Sequence, residues 1–293
     1  MLVFHTAQQL RLYLNTFTDK EKTIGFVPTM GALHAGHMSL LQISRKEADL
    51  TVASIFVNPT QFNDKRDFEN YPSTLPADLK KLTLAGCDVL FLPTVQEMYP
   101  TGFSLETPYE LGALETQLEG LYRPGHFQGV CQVVERLLHL VQPQYMFLGQ
   151  KDYQQCMVLD QLVRMQPALQ SVQIVICPTL RESDGLAMSS RNMRLTPDQR
   201  TVAAAIYKAL VQMKETLQPG SLDQLKKQAQ QYLLEKGFRV DYAEIANAQT
   251  LELIKEWNGA DPLVGLIAAF LGEVRLIDNI ILTESRNSSN ESV

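Results

Sequence analysis

Little in this chain points to secretion, metal scaffolding or membrane insertion. Only four of its 293 residues are cysteine, and Cys87, Cys131, Cys156 and Cys177 stand apart with no Cys-x-x-Cys among them. Isolated cysteines in apolar surroundings read as buried free thiols of a reducing, cytoplasmic compartment, not as a disulfide framework or a zinc site. No apolar run approaches the ~20 residues of a bilayer span, so no membrane association is expected. The opening residues lack a basic segment followed by a long apolar stretch, and no signal peptide is expected. Basic charge is scarce: 26 Lys and Arg stand against 32 Asp and Glu, a net charge of −6. Without a basic stripe, broad nucleic-acid binding is not expected, although a local cationic pocket for a nucleotide is compatible with this balance. What is present is ordinary for a globular protein with a sizeable core: 45% hydrophobic and 20% charged residues, long enough for one large or two ordinary domains.

The most informative stretch runs from Pro28 to His37. It follows an apolar run at 23–27 that reads as a buried strand and precedes a helical pattern at 38–48. Gly31 and Gly36 let the backbone turn and approach a ligand closely. His34 and His37 fall where the helix begins, and a helix N-terminus offers unpaired N–H groups and partial positive charge to phosphate. No Gly-Lys-Ser or Gly-Lys-Thr follows, so this is no Walker loop, and the glycine spacing is wrong for a dinucleotide fingerprint. His-x-Gly-His resembles the phosphate signature of the class I aminoacyl-tRNA synthetase and nucleotidyltransferase superfamily.

Around this turn the first half alternates apolar runs with helical patterns. Strands are expected at 23–27, 51–57, 89–92, 145–148 and 172–177. Helices are expected near 7–15 and at 38–48, 76–85, 129–140 and 153–165. Such alternation predicts an α/β fold, a Rossmann-like parallel sheet with helices on both faces, with ligands at the carboxyl ends of its strands. The second half reads as a smaller α+β domain: helices at 197–217 and 221–236, then strands at 240–245, 263–269 and 274–282. The expected division is 1–178 and 179–283, with a polar, disordered tail at 284–293.

Four further segments carry chemistry. Asn58 and Gln61, after the second expected strand, suit a polar small molecule because amides donate and accept together; an Asn-Pro turn explains them equally. Arg123 is either solvated or paired with a carboxylate or phosphate. Gly149, Gln150, Lys151 and Asp152 follow the strand at 145–148; Lys151 can neutralise phosphate, and Asp152 is either a magnesium ligand or a helix cap. Gln155 falls one helical turn further on. Between Asp184 and Asn192, the residues Ser189, Ser190 and Arg191 fit either a triphosphate clamp or a polar hinge.

These segments, in this order and spacing, together with Arg275, Leu276, Ile277, Asp278 and Asn279, resemble the pantothenate synthetase family from about Val3 to Leu282. The resemblance implies ATP-dependent condensation of (R)-pantoate with β-alanine through a pantoyl adenylate, a hinged C-terminal lid domain, a homodimer joined through the first domain, and Mg²⁺. It places Met30, Gly31, Ala32, Leu33, His34, Ala35, Gly36 and His37 along the nucleotide, with His37 the main catalytic hydrogen-bond donor. Gly149, Gln150, Lys151 and Asp152 then border ribose, phosphates and metal, and Pro178, Leu186, Ala187, Met188 and Ser189 complete the ATP site. Lys151, Ser189, Ser190 and Arg191 clamp the polyphosphate. Gln61, Gln155 and Asn58 hold pantoate, and Gln61 also lies near β-alanine. Asp78 corresponds to a metal-proximal acid, with Asp152 a second candidate. The chain departs from the family pattern at Ala35 and Gln150, where many relatives carry acids, and at Ala77, where some carry a second Asp beside Asp78. Other readings are an adenylyltransferase acting on a phosphate ester, which would need a second cationic pocket, and a non-catalytic nucleotide-binding protein, which could dispense with Lys151.

Overall fold

The computed structural model describes residues 1–18, 21–63, 68–105 and 107–284. The expected tail at 285–293 lies outside the described residues. The chain divides into two compact units, Met1–Leu180 and Arg181–Val293.

The first unit is built on a six-stranded parallel sheet in the order β1-β4-β3-β2-β5-β6. Its strands are β1 (Leu2–Phe4), β2 (Ile24–Thr29), β3 (Leu50–Ile55), β4 (Val89–Phe91), β5 (Tyr145–Gly149) and β6 (Gln173–Cys177). Its longer helices are α1 (Ala7–Thr18), α2 (Ala35–Glu47), α3 (Leu75–Leu84), α4 (His126–Val141) and α5 (Tyr153–Met165). All six residues of β3 are buried, which a strand achieves only when both faces of its sheet are covered. The class is the α/β one expected. The sequence pattern missed β1, because three residues are too few to show a period. It pairs parallel with β4 at the edge of the sheet.

The strand order fixes where a ligand can go. From β2 the chain crosses through α2 to β3 on one side, while β5 lies on the other. This is a topological switch point, where the carboxyl ends of neighbouring parallel strands leave a crevice. Pairing of β2 with β5 covers only Gly25 and Phe26, whereas pairing with β3 continues to Thr29. The strands therefore part before their ends, and Pro28, which has no N–H to donate, lies beyond the last pair with β5.

The second unit holds a three-stranded antiparallel sheet, β11-β10-β8, formed by β8 (Arg239–Asn247), β10 (Leu263–Leu271) and β11 (Val274–Thr283). Its helices are α6 (Pro197–Val202), α7 (Ala205–Glu215) and α8 (Asp223–Glu235), and Ile206, Leu210, Leu233, Ile245 and Ile267 are among its buried core. The helix expected at 197–217 is two. At the break the Ile206 N–H bonds to the Ala203 carbonyl three residues back, interrupting the i to i−4 ladder. A two-stranded ribbon of β7 (Gly220–Ser221) and β9 (Glu256–Trp257) was not expected either. Among the described residues, no helix is long and apolar enough to cross a membrane. All four cysteines are buried and unpaired, and burial pushes each thiol upward in pKa.

Candidate active site

Three turns at the carboxyl edge of the sheet carry most of the expected residues of the first unit. The first joins β2 to α2. Gly31 and Ala32 both take positive φ, +83° and +49°. Glycine does this freely, but an alanine there is sterically disfavoured by roughly 1–2 kcal/mol. The turn is held from α3. The Asp78 carboxylate accepts the Ala32 N–H through Oδ2 and the Leu33 N–H through Oδ1, both at 2.9 Å. Thr74 Oγ1 donates to Asp78 Oδ1 at 3.0 Å. One helical turn after Asp78, Lys81 donates its Nζ proton to the Leu33 carbonyl.

That turn delivers the histidines. His34 is the N-cap of α2, and His37 lies in its first turn, with ring centroids 4.0 Å apart. The His34 backbone N–H donates to His37 Nδ1 at 3.2 Å. An accepting Nδ1 assigns the proton to Nε2, so the neutral His37 ring offers an Nε2–H donor. Both rings are held neutral. His34 is lowered to about 3, first by burial and then by His37, Lys151 and Lys81, with Asp152 acting the other way. His37 is lowered to about 4 by burial, Lys151 and Lys81. His34 Nδ1 is buried with no hydrogen-bond partner among the described residues, a state that a ligand or water would relieve.

Lys151 enters from the other side of the switch point. It sits in the 3₁₀ turn Gln150–Asp152 between β5 and α5, close enough to depress both imidazoles. Its Nζ is 3.4 Å from Asp152. Gln155 is half-buried in the first turn of α5. The turns after β2 and β5 thus bring His34, His37 and Lys151 near one another.

The third turn, Pro59–Gln61, follows β3. Gln61 is buried, its Nε2 donates to Met30 Sδ at 3.0 Å, and its Oε1 accepts from Asn58 Nδ2 at 3.3 Å. Asn58 also donates to the Gly129 carbonyl at 3.1 Å and accepts from the Tyr99 hydroxyl at 2.7 Å. Its amide is therefore engaged within the protein, where it also orients Gln61. The Gln61 carbonyl accepts from His126 Nδ1 at 2.8 Å, while Arg123 Nη1 lies 2.9 Å from His126 Nε2. Arg123 thus belongs to this supporting network. Gly129 is required by close approach, because a Cβ there would stand 2.3 Å from the Thr60 carbonyl oxygen.

Tyr99, His126, Lys81 and Gln154 escaped the sequence reading. Gln154, beside the singled-out Gln155, is buried and binds the backbone of Leu114, Gln117 and Glu119. None of the four lies in a turn next to a strand end, so no local signal marked them.

In the second unit, Ser189 caps the 3₁₀ turn Ser190–Arg194, its Oγ accepting the Arg191 N–H at 3.3 Å. Leu186 is part of that unit's core and Ala187 is buried, so their side chains face inward. Arg181 organises the segment. It forms two hydrogen bonds to Asp278, at 2.6 and 3.0 Å, one to the Asn279 carbonyl and one to the Gly185 carbonyl, and lies 4.0 Å over the Tyr207 ring. This accounts for Asp278 and Asn279 in the C-terminal motif. Pro178, directly after β6 in the first unit, is exposed.

The two candidate metal acids differ sharply. The Asp152 side chain is 48% exposed, whereas Asp78 is 1% exposed and engaged with backbone. Among the described residues no group of three or more His, Cys, Asp or Glu could enclose a metal ion. An open carboxylate beside a phosphate site fits magnesium, which keeps most of its water and binds through one or two carboxylates and substrate phosphates.

Residues 2–281 match the family model described as Pantoate-beta-alanine ligase. A pantothenate synthetase of Bacteroides fragilis is 43% identical over 286 residues, 97% of this chain and 100% of that one. Another, from Pseudomonas putida, is 46% identical over 94% of this chain and 96% of its own length. Among solved structures, pantothenate synthetase from Thermus thermophilus is similar at a TM-score of 0.88 and 42% identity, covering 97% of this chain and 100% of that one. The pantoate-beta-alanine ligase of Francisella tularensis, complexed with beta-gamma ATP and beta-alanine, is similar at 0.80 and 36%, covering 96% of this chain and 98% of that one.

Proposed function

The chain belongs to the pantoate-beta-alanine ligase family, and on that premise we propose how its residues divide the ATP-dependent condensation of (R)-pantoate with β-alanine. The observation that carries the reading is the convergence of His34, His37 and Lys151 at the switch point, with Gln61 on the adjoining turn.

The pantoate carboxylate attacks the α-phosphorus of ATP, and the bond to the leaving pyrophosphate breaks. Pantoate is itself the nucleophile, so the protein's contribution is positioning and neutralisation of developing charge. His37 donates Nε2–H to a phosphate oxygen, and His34 donates beside it. Lys151 supplies the positive charge that two neutral imidazoles do not. Gln61 and Gln155 hold the pantoate hydroxyls through neutral amides. Ser189, Ser190 and Arg191 are assigned to the polyphosphate, whose negative charge suits hydroxyl and guanidinium donors. The β-alanine amine then attacks the acyl carbon, and AMP leaves with the electron pair of the broken C–O bond.

Magnesium would be held by Asp152 together with ATP oxygens, and would supply screening of phosphate charge. A homodimer joined through the first unit and a cytoplasmic location belong to the same proposal; the four buried free thiols suit a reducing compartment. The test is incubation with ATP, Mg²⁺, pantoate and β-alanine. AMP, pyrophosphate and pantothenate in equal amounts are expected; ADP and phosphate would contradict the proposal.

A further inference from the structure

The turn that carries the phosphate-binding histidines has an internal anion of its own. Two successive N–H groups, of Ala32 and Leu33, point at the Asp78 carboxylate, one to each oxygen. Successive N–H groups around a positive-φ residue form an anion-binding concavity. Here the buried carboxylate of α3 fills it, from 46 positions away in sequence. Thr74 adds a third donor, and Lys81, on the same helix, grips the next carbonyl at Leu33. Lys81 is near enough to both imidazoles to depress them, and its charge opposes a cation in this corner.

We infer that Asp78 is a positioning residue that holds the Gly31–Leu33 turn in its left-handed form, and so aims His34 and His37, and that it is not a magnesium ligand. The inference rests on the phosphate role proposed for the two histidines. The left-handed backbone at Ala32 is disfavoured intrinsically. Two charge-assisted hydrogen bonds, each stronger than a neutral one, offset that preference. Without them, residue 32 relaxes and the first turn of α2 loses its fixed start.

Asp78→Asn tests this, because the amide keeps one acceptor and turns an NH₂ toward a backbone N–H. Pantoate-dependent exchange of labelled pyrophosphate into ATP should fall at least tenfold at saturating substrates. The magnesium concentration for half-maximal rate should stay within twofold of wild type, and pantoate affinity by direct titration likewise. Adding Ala32→Gly should restore activity at least threefold, since glycine takes positive φ without steric cost. Hydrogen exchange at the Ala32 and Leu33 amides should quicken at least tenfold, with β2 amides unchanged. A tenfold rise in the magnesium requirement without rescue by glycine would overturn the inference, as would unchanged exchange at both amides. If Asp78→Asn does not fold, Thr74→Val carries the same test with a two- to fivefold loss of rate; a loss appearing as magnesium requirement contradicts the inference there too. A wild type that forms no pantothenate from ATP, pantoate and β-alanine would refute the proposed function instead, and the amide exchange would still decide the tether.

Discussion

Two neighbouring strands end in turns that are built by different means. The turn after β2 is fixed by charge: a buried carboxylate on two N–H groups and an ammonium on a carbonyl, both from α3. The turn after β3 is held by Asn58, the Tyr99 hydroxyl, the His126 ring and the Gly129 carbonyl, with the charged Arg123 a contact back, on His126. The difference matches the ligands proposed for each. A polyanion is met by donors whose charges are already arranged, and preorganised donors need not reorganise during reaction. A neutral diol is met by amides, where a nearby full charge would favour phosphate over hydroxyl. On the roles proposed, anion handling falls to the turn after β2 and hydroxyl reading by Gln61 to the turn after β3, and perturbing one should leave the other's ligand alone.

The largest effect should come from the charged side. His37→Ala removes a donor at developing phosphate charge and should slow single-turnover adenylation by roughly 10²–10³-fold. Pantoate affinity should change less than twofold. A rate loss under tenfold would break the assignment.

Next comes the neutral side. Gln61→Ala should weaken pantoate by ~1–3 kcal/mol, the cost of leaving a buried polar group unpaired, while ATP affinity holds. Equal losses for both ligands in calorimetric titration would show that the two turns do not act separately.

A smaller effect sharpens the same distinction. Tyr99→Phe deletes the donor to Asn58 Oδ1, for about 1 kcal/mol of stability. It should raise the KM for pantoate severalfold and leave the KM for ATP alone. An ATP KM that rises in parallel would mean that Tyr99 supports the sheet edge generally.

The last effect concerns pH. His34 and His37 lie at about 3 and about 4 in the folded chain, below the ordinary 6.5. Between those values the unfolded chain binds protons that the folded one does not, so stability rises with pH in that window. This contribution is complete above pH 6.5 and is lost as pH falls toward 4. His37→Gln should flatten part of the decline in denaturant midpoint of the ligand-free protein. Parallel profiles for the two proteins would show that His37 titrates normally.

How much of this was legible in the sequence follows from where the contacts run. His34 and His37 announced themselves because strand, glycine turn and helix start are contiguous. The parallel sheet was legible because its central strands are apolar runs. The supports were not. Asp78 meets its turn across 46 positions, Tyr99 meets Asn58 across 41, and Arg181 meets Asp278 across 97. Asn58 reads as ligand-facing in sequence because its burial depends on α4 and Tyr99, which only the fold brings to it. The resemblance offers Asp78 as a metal-proximal acid, but its oxygens are turned to backbone N–H groups that lie far from it in sequence. The break at Ala203 interrupts a pattern that remains helical on both sides.

The central claim is that the phosphorus chemistry assigned to His34, His37 and Lys151 needs pantoate but not the amine. The most direct measurement is pyrophosphate exchange without β-alanine. The protein, given ATP, Mg²⁺ and pantoate, should incorporate labelled pyrophosphate into ATP, and incorporation should vanish when pantoate is withheld. Pantothenate formation in the full mixture with no pantoate-dependent exchange would contradict the claim, because pyrophosphate would then leave only after the amine had bound.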